Sequence, residues 1–392
     1  MTRAAWLVVL TACSSKPTES KAPPPPNVPA PKPPALVERP APDAAPAPDA
    51  APGAAGAFYV LGASADGSQV LLANSLAAAE GGVLEYRVLS AATGALESKT
   101  ALPALSRLPA LLDRDPTHWE EALDENAALI AEMRAAAAVL RAFPGGDGWR
   151  LASSADRSVI ALRRDLHWII LRDGTLSLFP HEHVDPWIAP DGKTIVHSSK
   201  PITTGLANAS GLFVDDLATG TSTKALDAGH VTGVERWRLA PGGEYVRVPY
   251  GGEVLCIGDV PLHGAKKRPP QCFGKVPSPL LTLSDNGQWF AIESQVGDKM
   301  RLRIVDLEAR KTVFDNAMLD LGDAGVDDYL LVSGTGMTVA LHGKRGYQVD
   351  AATGKITEFT HDPALSCVLV GARLGCAQGE TVVFEDPTSQ KP

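Results

Sequence analysis

Residues 188–199 read IAPDGKTIVHSS and residues 283–294 read LSDNGQWFAIES. Each stretch is apolar residues, a Ser or Ala-Pro, a polar turn, then apolar residues again. The frame recurs in FYVLGASADGSQVLLANS (58–75), WRLASSADRSVIALRR (149–164), RWRLAPGGEYVRVP (236–249) and YLLVSGTGMTVALHG (329–343). Asp-Gly or Asn-Gly supplies the positive φ that a tight two-residue hairpin turn demands, so each stretch predicts a pair of short antiparallel strands.

A second motif follows several of these: VLSAATGALES (88–98), VDDLATGTSTKAL (214–226), QVDAATGKITEF (348–359) and the degenerate IVDLEARKTVF (304–314). These predict two outer strands joined at Ala-Thr-Gly. Met300, Leu302 and Ile304 alternate with Arg301 and Arg303, the mark of a half-buried sheet. From turn to turn, Asp156 to Asp191 is 35 residues, Asp191 to Gly242 is 51, Gly242 to Asn286 is 44 and Asn286 to Thr335 is 49. Four strands at a period of about 40 to 45 residues indicate β-propeller blades. The fold class is therefore all-β: a single propeller over 57–386 with about seven four-stranded blades, the last short and completed by an N-terminal strand, and one helical insertion.

The insertion separates the first two turns by 90 residues, Asp66 to Asp156. Within 115–143, Trp119, Leu123, Ala127, Ile130, Met133, Ala137 and Leu140 advance by three or four and form one apolar stripe. Pro116 suits the first turn, Thr117 and Glu120 have capping-box spacing, and Pro144-Gly145-Gly146 stops the helix. The stripe either packs on the propeller or is offered to a partner helix or groove, with Trp119, Leu123, Ile130, Met133 and Leu140 as the candidate contact residues.

The N-terminus carries Arg3, an apolar run from Ala4 to Ala12 and then Cys13. That is the grammar of an export signal, and the run is far short of the roughly 20 residues that span a bilayer. Leu10-Thr11-Ala12-Cys13 resembles the lipobox of bacterial lipoproteins. The resemblance implies cleavage of a signal peptide at 1–12, a diacylglycerol thioether on Cys13, an acyl group such as palmitate on the new amine, and lodging on a membrane of the cell envelope. From Pro17 to Gly56 the chain is dominated by proline and alanine and cannot bury a core. Together with Cys13 it forms a disordered, extended tether over 13–56, rising about 3.1 Å per residue where polyproline-like. Residues 387–392 are expected to be a disordered tail.

Five cysteines are an odd number for an exported chain. With Cys13 given to lipid, Cys256, Cys272, Cys367 and Cys376 remain, and their proximity in two isolated pairs favours disulfides 256–272 and 367–376, each across antiparallel strands. An oxidising compartment suits them. The rival, a four-thiolate zinc site, lacks the short C-x₂₋₄-C spacing. A net charge of −9 argues against nucleic acid, and the basic knot Lys266-Lys267-Arg268 reads as a solvated loop beside Pro269-Pro270.

IAPDGKTIVHSS and LSDNGQWFAIES resemble the repeats of TolB-like and WD-repeat-like propellers. The VDAATGK type of turn is similar to blades of quinoprotein dehydrogenases and outer-membrane assembly lipoproteins. The Gly-His/Trp-Asp pair of WD repeats is missing, as are the α/β domain that precedes a TolB propeller and the hydrolase domain of prolyl oligopeptidases.

Catalytic signatures are sparse: G-x-S-x-G, H-E-x-x-H and a P-loop are all missing. His181, Glu182, His183 and Asp185 lack a third imidazole, and Asp320, Asp323, Asp327 and Asp328 lack calcium-loop spacing, so no metal or cofactor is assigned. Trp149, Trp187, Trp237 and Trp289 near the turns read as packing between blades. The resulting expectation is a monomeric, lipid-anchored envelope propeller that binds an envelope protein or polymer without catalysis. The alternative is an enzyme with a central-channel site, a metal-dependent lactonase or quinoprotein-like oxidoreductase.

Overall fold

The computed structural model describes residues 58–385 except 65, 76–82, 103–126, 144–150, 165–166, 179–185, 199–210, 228–229, 232–235, 252–253, 277–278, 298, 321–328 and 363–365. Cys13, the tether, the tail, Trp119, Leu123, Trp149, the segment 181–185 and Asp323, Asp327 and Asp328 lie outside the described residues.

The strands form seven antiparallel sheets in chain order. The first holds β1 (Phe58–Ala63), β2 (Gln69–Ser75), β3 (Val83–Ser90) and β4 (Leu96–Ala101), and α1 (Ala127–Arg141) follows it. The second holds β5 (Leu151–Ser153), β6 (Val159–Arg164), β7 (His167–Arg172) and β8 (Thr175–Leu178), and the third β9 (Trp187–Ile188), β10 (Thr194–Ser198), β11 (Gly211–Asp216) and β12 (Thr221–Asp227). In the fourth, β13 (His230–Val231) and β14 (Arg238–Leu239) both pair with β15 (Tyr245–Gly251), so the first-strand position is made in two pieces. It continues with β16 (Cys256–Pro261) and β17 (Gln271–Cys272). The fifth holds β18 (Leu280–Leu283), β19 (Trp289–Val296), β20 (Lys299–Asp306) and β21 (Lys311–Asp320). The sixth holds β22 (Tyr329–Val332), β23 (Met337–His342), β24 (Arg345–Asp350) and β25 (Lys355–Thr360). The seventh has three strands among the described residues, β26 (Cys367–Val370), β27 (Arg373–Gln378) and β28 (Thr381–Glu385).

The turn chemistry explains the sequence repeat. The Ser64, Ser154 and Ser284 carbonyls accept the N–H of Gly67, Arg157 and Gly287, three residues on. Their hydroxyls accept the N–H of Gln69, Val159 and Trp289 at 2.9, 3.1 and 2.8 Å. Oδ1 of Asp66, Asp156 and Asn286 accepts the N–H two residues on, at 3.0, 3.0 and 3.1 Å. The left-handed residue is the single one after the Asp or Asn, Gly67 and Gly287 in two of these turns and Arg157, at φ 63°, in the third, which makes this a type I turn with a bulge rather than the expected two-residue turn. Gly287 is required twice over. Its φ is +68°, and a Cβ would stand 2.2 Å from the Leu239 carbonyl oxygen of the preceding blade.

In the outer hairpins, Gly94, Gly220 and Gly354 donate to Ser90, Asp216 and Asp350 carbonyls at 2.8 Å. Arg310, at φ 52°, stands in for glycine in the degenerate copy. The two turns of a blade are tied together, because Ala91, Leu217 and Leu307 N–H groups donate to Ser68, Lys193 and Gln288 carbonyls. Both sets of tight turns therefore lie at one end of the ring.

Seven apolar clusters fill the seven contacts between consecutive sheets and close the ring. Leu71 and Ile160 share the cluster between sheets one and two, Val159 and Ile195 that between two and three, and Val196 and Val246 that between three and four. Ile257 and Phe290, Ala291 and Ala340, and Val339 and Leu374 carry the series to the seventh sheet. Val60, Val70 and Leu72 of the first sheet then pack with Val370, Ala377 and Val382 of the seventh. Here Arg373 donates to the Ala91 carbonyl at 3.2 Å, and Arg87 pairs with Glu380 at 2.6 Å. Among the described residues, closure is by packed side chains; the strand expected to complete the last blade is not β1, which pairs with β2 in its own sheet.

Helix α1 is packed on the ring. Leu129, Met133, Ala136, Ala137 and Leu140 are fully buried against Leu71, Tyr86, Leu151 and Leu171, in the cluster that joins the first two sheets. Ile130 flanks that face, half-buried on the same cluster, while Ala127 is exposed.

Candidate functional site

First strands stand at the hub of the ring, and five sheets contribute theirs to one cavity of about 600 Å³. Its walls come from Val60–Ser64, Arg238, Thr282–Leu283, Leu331–Val332 and Cys367–Leu369, with the turn residues Asp66, Asp285, Asn286 and Thr335 at the mouth. β1, β18, β22 and β26 are terminal strands of their sheets, so among the described residues their hub-side edges lack a strand partner. The cavity lies within the ordinary size range of small-ligand sites.

Most polar groups at this mouth already serve the turns. Asp66 accepts hydrogen bonds from the Ser64 and Ser68 hydroxyls and the Ser68 N–H, which hold its carboxyl down at about 2. Asn286 donates to the Gly334 carbonyl at 2.9 Å and so links the fifth and sixth blades. Asp285 differs. Its side chain is about half exposed yet ringed by protein, and that desolvation raises its carboxyl above the usual carboxylate range while Arg238 pulls it down. Arg238 Nε lies 3.7 Å from Asp285 Oδ1, and its Nη1 donates to the Trp237 carbonyl at 2.9 Å. A positive and a negative side chain from adjacent blades thus meet at the mouth, with Asp66 and Asp285 as the carboxylates of the described lining.

A second cavity, of about 260 Å³, lies between the fourth and fifth blades and is lined by Arg247, Asp259, Arg268, Gln271, Glu308 and Arg310 among others. Arg247 is fully buried at a strand position where other blades carry Leu71, Val196 or Ala291. Its Nε donates to Asp259 at 3.3 Å, and its remaining nitrogens to Glu308 and the Gly287 carbonyl. Two more buried pairs punctuate the ring. His342 meets Glu293 across the fifth and sixth blades at 2.6 Å, and His197 meets Asp215 within the third at 3.0 Å.

The cysteines are joined as two cross-strand disulfides, Cys256–Cys272 across β16 and β17 and Cys367–Cys376 across β26 and β27. Met133 and Leu140, named from the sequence as contact residues for a partner, are instead committed to the core under α1, because the stripe faces the first two blades. Trp187, Trp237 and Trp289 pack in the clusters between blades, and Trp289 Nε1 donates to the Gly334 carbonyl at 3.1 Å. The 266–268 knot is an exposed loop, with the Arg268 guanidinium 4.0 Å above the Tyr245 ring. Asp320 ends β21. Arg238, Asp285 and Arg247 carried no sequence signal; a charged residue beside a turn or in a strand reads as solvent-facing.

No protein-family model matches the chain, and the search of curated proteins returns no match. Among solved structures, the chain aligns with Kuenenia stuttgartiensis hydrazine synthase at 11% identity over 85% of this chain and 96% of that one, with a TM-score of 0.47.

Proposed function

We propose that the protein is a lipid-anchored propeller of the bacterial cell envelope that binds a protein or polymer chain at the mouth of its hub, without chemistry of its own. The observation that carries this reading is the hub lining: terminal strands around a cavity of about 600 Å³, with Arg238 and Asp285 at its rim. Strand edges offer N–H and C=O groups to an extended chain, and the ion pair supplies one donor and one acceptor to fix its register. The lipobox-like LTAC and the tether behind it support attachment through Cys13, with the propeller held on the order of 100 Å from the lipid when the tether is extended. The enzyme reading draws on one observation, the raised Asp285 carboxyl beside Arg238.

The test is co-purification. The full chain extracted from membranes carries its partner, and Arg238→Ala and Asp285→Asn each reduce the amount recovered while leaving the unfolding midpoint unchanged. Recovery indifferent to both substitutions refutes a hub site. A turnover abolished by Asp285→Asn replaces binding with catalysis.

A further inference from the structure

At the contact of the sixth and seventh blades, His361 follows β25 and is 3% exposed. Neither ring nitrogen has a hydrogen-bond partner among the described residues. A buried imidazole left so is expensive, since each unmet polar atom keeps its desolvation penalty. Its ligand atom and the sulfurs of Cys367 and Cys376 all lie within 4.8 Å of one another. Glu385, at the end of β28, brings its Oε2 to 3.8 Å from His361 Nδ1, and that oxygen also lacks a hydrogen-bond partner. Among the described residues no other group of three His, Cys, Asp or Glu donors converges in this way. Cys256 and Cys272 form an equivalent cross-strand disulfide without such neighbours, so the arrangement is not a by-product of the disulfide.

We propose that Cys367, Cys376, His361 and Glu385 form a tetrahedral zinc site when the Cys367–Cys376 disulfide is reduced. Two sulfurs, one imidazole nitrogen and one carboxylate are ligands that zinc accepts. Zn–S of about 2.3 Å and Zn–N of about 2.0–2.1 Å set tetrahedral donors roughly 3.5 Å apart; the imidazole already lies within 4.8 Å of both sulfurs, and the sulfurs separate when the disulfide opens. The reductant is a dithiol. Two electrons and two protons open the S–S bond to two thiols as the dithiol becomes its own disulfide, and zinc then displaces both thiol protons to the solvent. The two states exchange one cross-link between β26 and β27 for another: a covalent bond when oxidised, a metal clip when reduced.

The test uses the full chain with Cys13→Ser, Cys256→Ser and Cys272→Ser, so that only this pair contributes thiols. After reduction and removal of reductant under anaerobic conditions, zinc is added, excess is removed and bound metal is counted; cobalt(II) is run in parallel as a spectroscopic probe. One equivalent of zinc is expected in the reduced chain and none in the oxidised chain. The cobalt form should show thiolate charge-transfer and tetrahedral ligand-field bands. His361→Asn should weaken binding at least tenfold, and Cys367→Ser should abolish it. Should the chain lacking the other pair fail to fold, the wild-type chain gives the same reading: reduced wild type holds one equivalent more than reduced His361→Asn. The proposal is overturned if the reduced chain binds no zinc, if binding is indifferent to His361→Asn, or if the cobalt spectrum is octahedral.

Discussion

Replacing Leu140 by Ala tests whether α1 belongs to the core. Leu140 is fully buried between α1 and the first two blades, among Leu71, Tyr86, Leu151 and Leu171. Truncation removes three carbons from water-free surroundings and leaves a void, and Leu→Ala changes of this kind cost about 2.7 to 5 kcal/mol. Because the cluster is held by strands on two sides and collapses little, about 3 kcal/mol is expected, roughly a fifth to three fifths of an ordinary domain's stability. With a urea slope of about 3 kcal/mol per molar, the midpoint falls by about 1 M. Arg134→Ala, on the exposed face of the same helix, is the control and changes stability by less than about 0.5 kcal/mol. The assay is equilibrium urea unfolding followed by tryptophan fluorescence and far-UV circular dichroism, with coincident curves required. A Leu140→Ala midpoint equal to that of Arg134→Ala refutes the packing of α1 and returns the stripe to the role of an arm for a partner.

Three further outcomes follow from named groups. Arg247→Ala leaves Asp259, Glu308 and the Gly287 carbonyl without their donor and should destabilise by about 3 kcal/mol, whereas Arg247→Met, apolar like the residues at this position in neighbouring blades, should recover most of it in the same unfolding assay. Asp66 and Asp156 titrate at about 2 because serine hydroxyls and N–H groups favour their charged forms; their contribution is complete above the ordinary carboxylate pKa of about 4 and is lost as pH falls through about 2. The double variant Asp66→Asn, Asp156→Asn should therefore be less stable than wild type at neutral pH and indistinguishable from it below about pH 2, as read from acid-unfolding curves. Cys13→Ala should release the chain from the membrane fraction and remove acyl mass from the mature N-terminus; an acyl-free wild-type terminus contradicts the anchor.

The turns were legible because their chemistry is local. Ser at one position and Asp or Asn two later satisfy backbone groups within five residues, so the same letters recur wherever that geometry recurs. The disulfides were legible for the same reason, since β16–β17 and β26–β27 are sequence neighbours. The helix was legible in period and largely in phase: Met133, Ala137 and Leu140 of the stripe are buried, while the buried face is centred nearer Leu129 and Ala136 than Ala127 and Ile130. In an alanine-rich segment, hydropathy hardly distinguishes one face from the next. The hub was not legible at all. Val60, Arg238, Leu283, Val332 and Cys367 meet only because the ring closes, and no spacing within the chain encodes that meeting. Arg247 was hidden by the rule that a strand arginine points to water, and the neighbourhood of His361 and Glu385 by the chain between them, which crosses from one blade to the next.

The central claim, that a partner chain is received at the hub, is tested most directly by a photoreactive amino acid placed in turn at Thr282, Thr335 and Val368, which line the cavity, and at Glu97, Thr223 and Glu358, exposed on outer strands. Irradiated in intact cells, the hub positions should give a common cross-linked species that Arg238→Ala diminishes, and the outer positions should not. Cross-links confined to the outer strands, or none at the three hub positions in a chain that folds, would contradict the account.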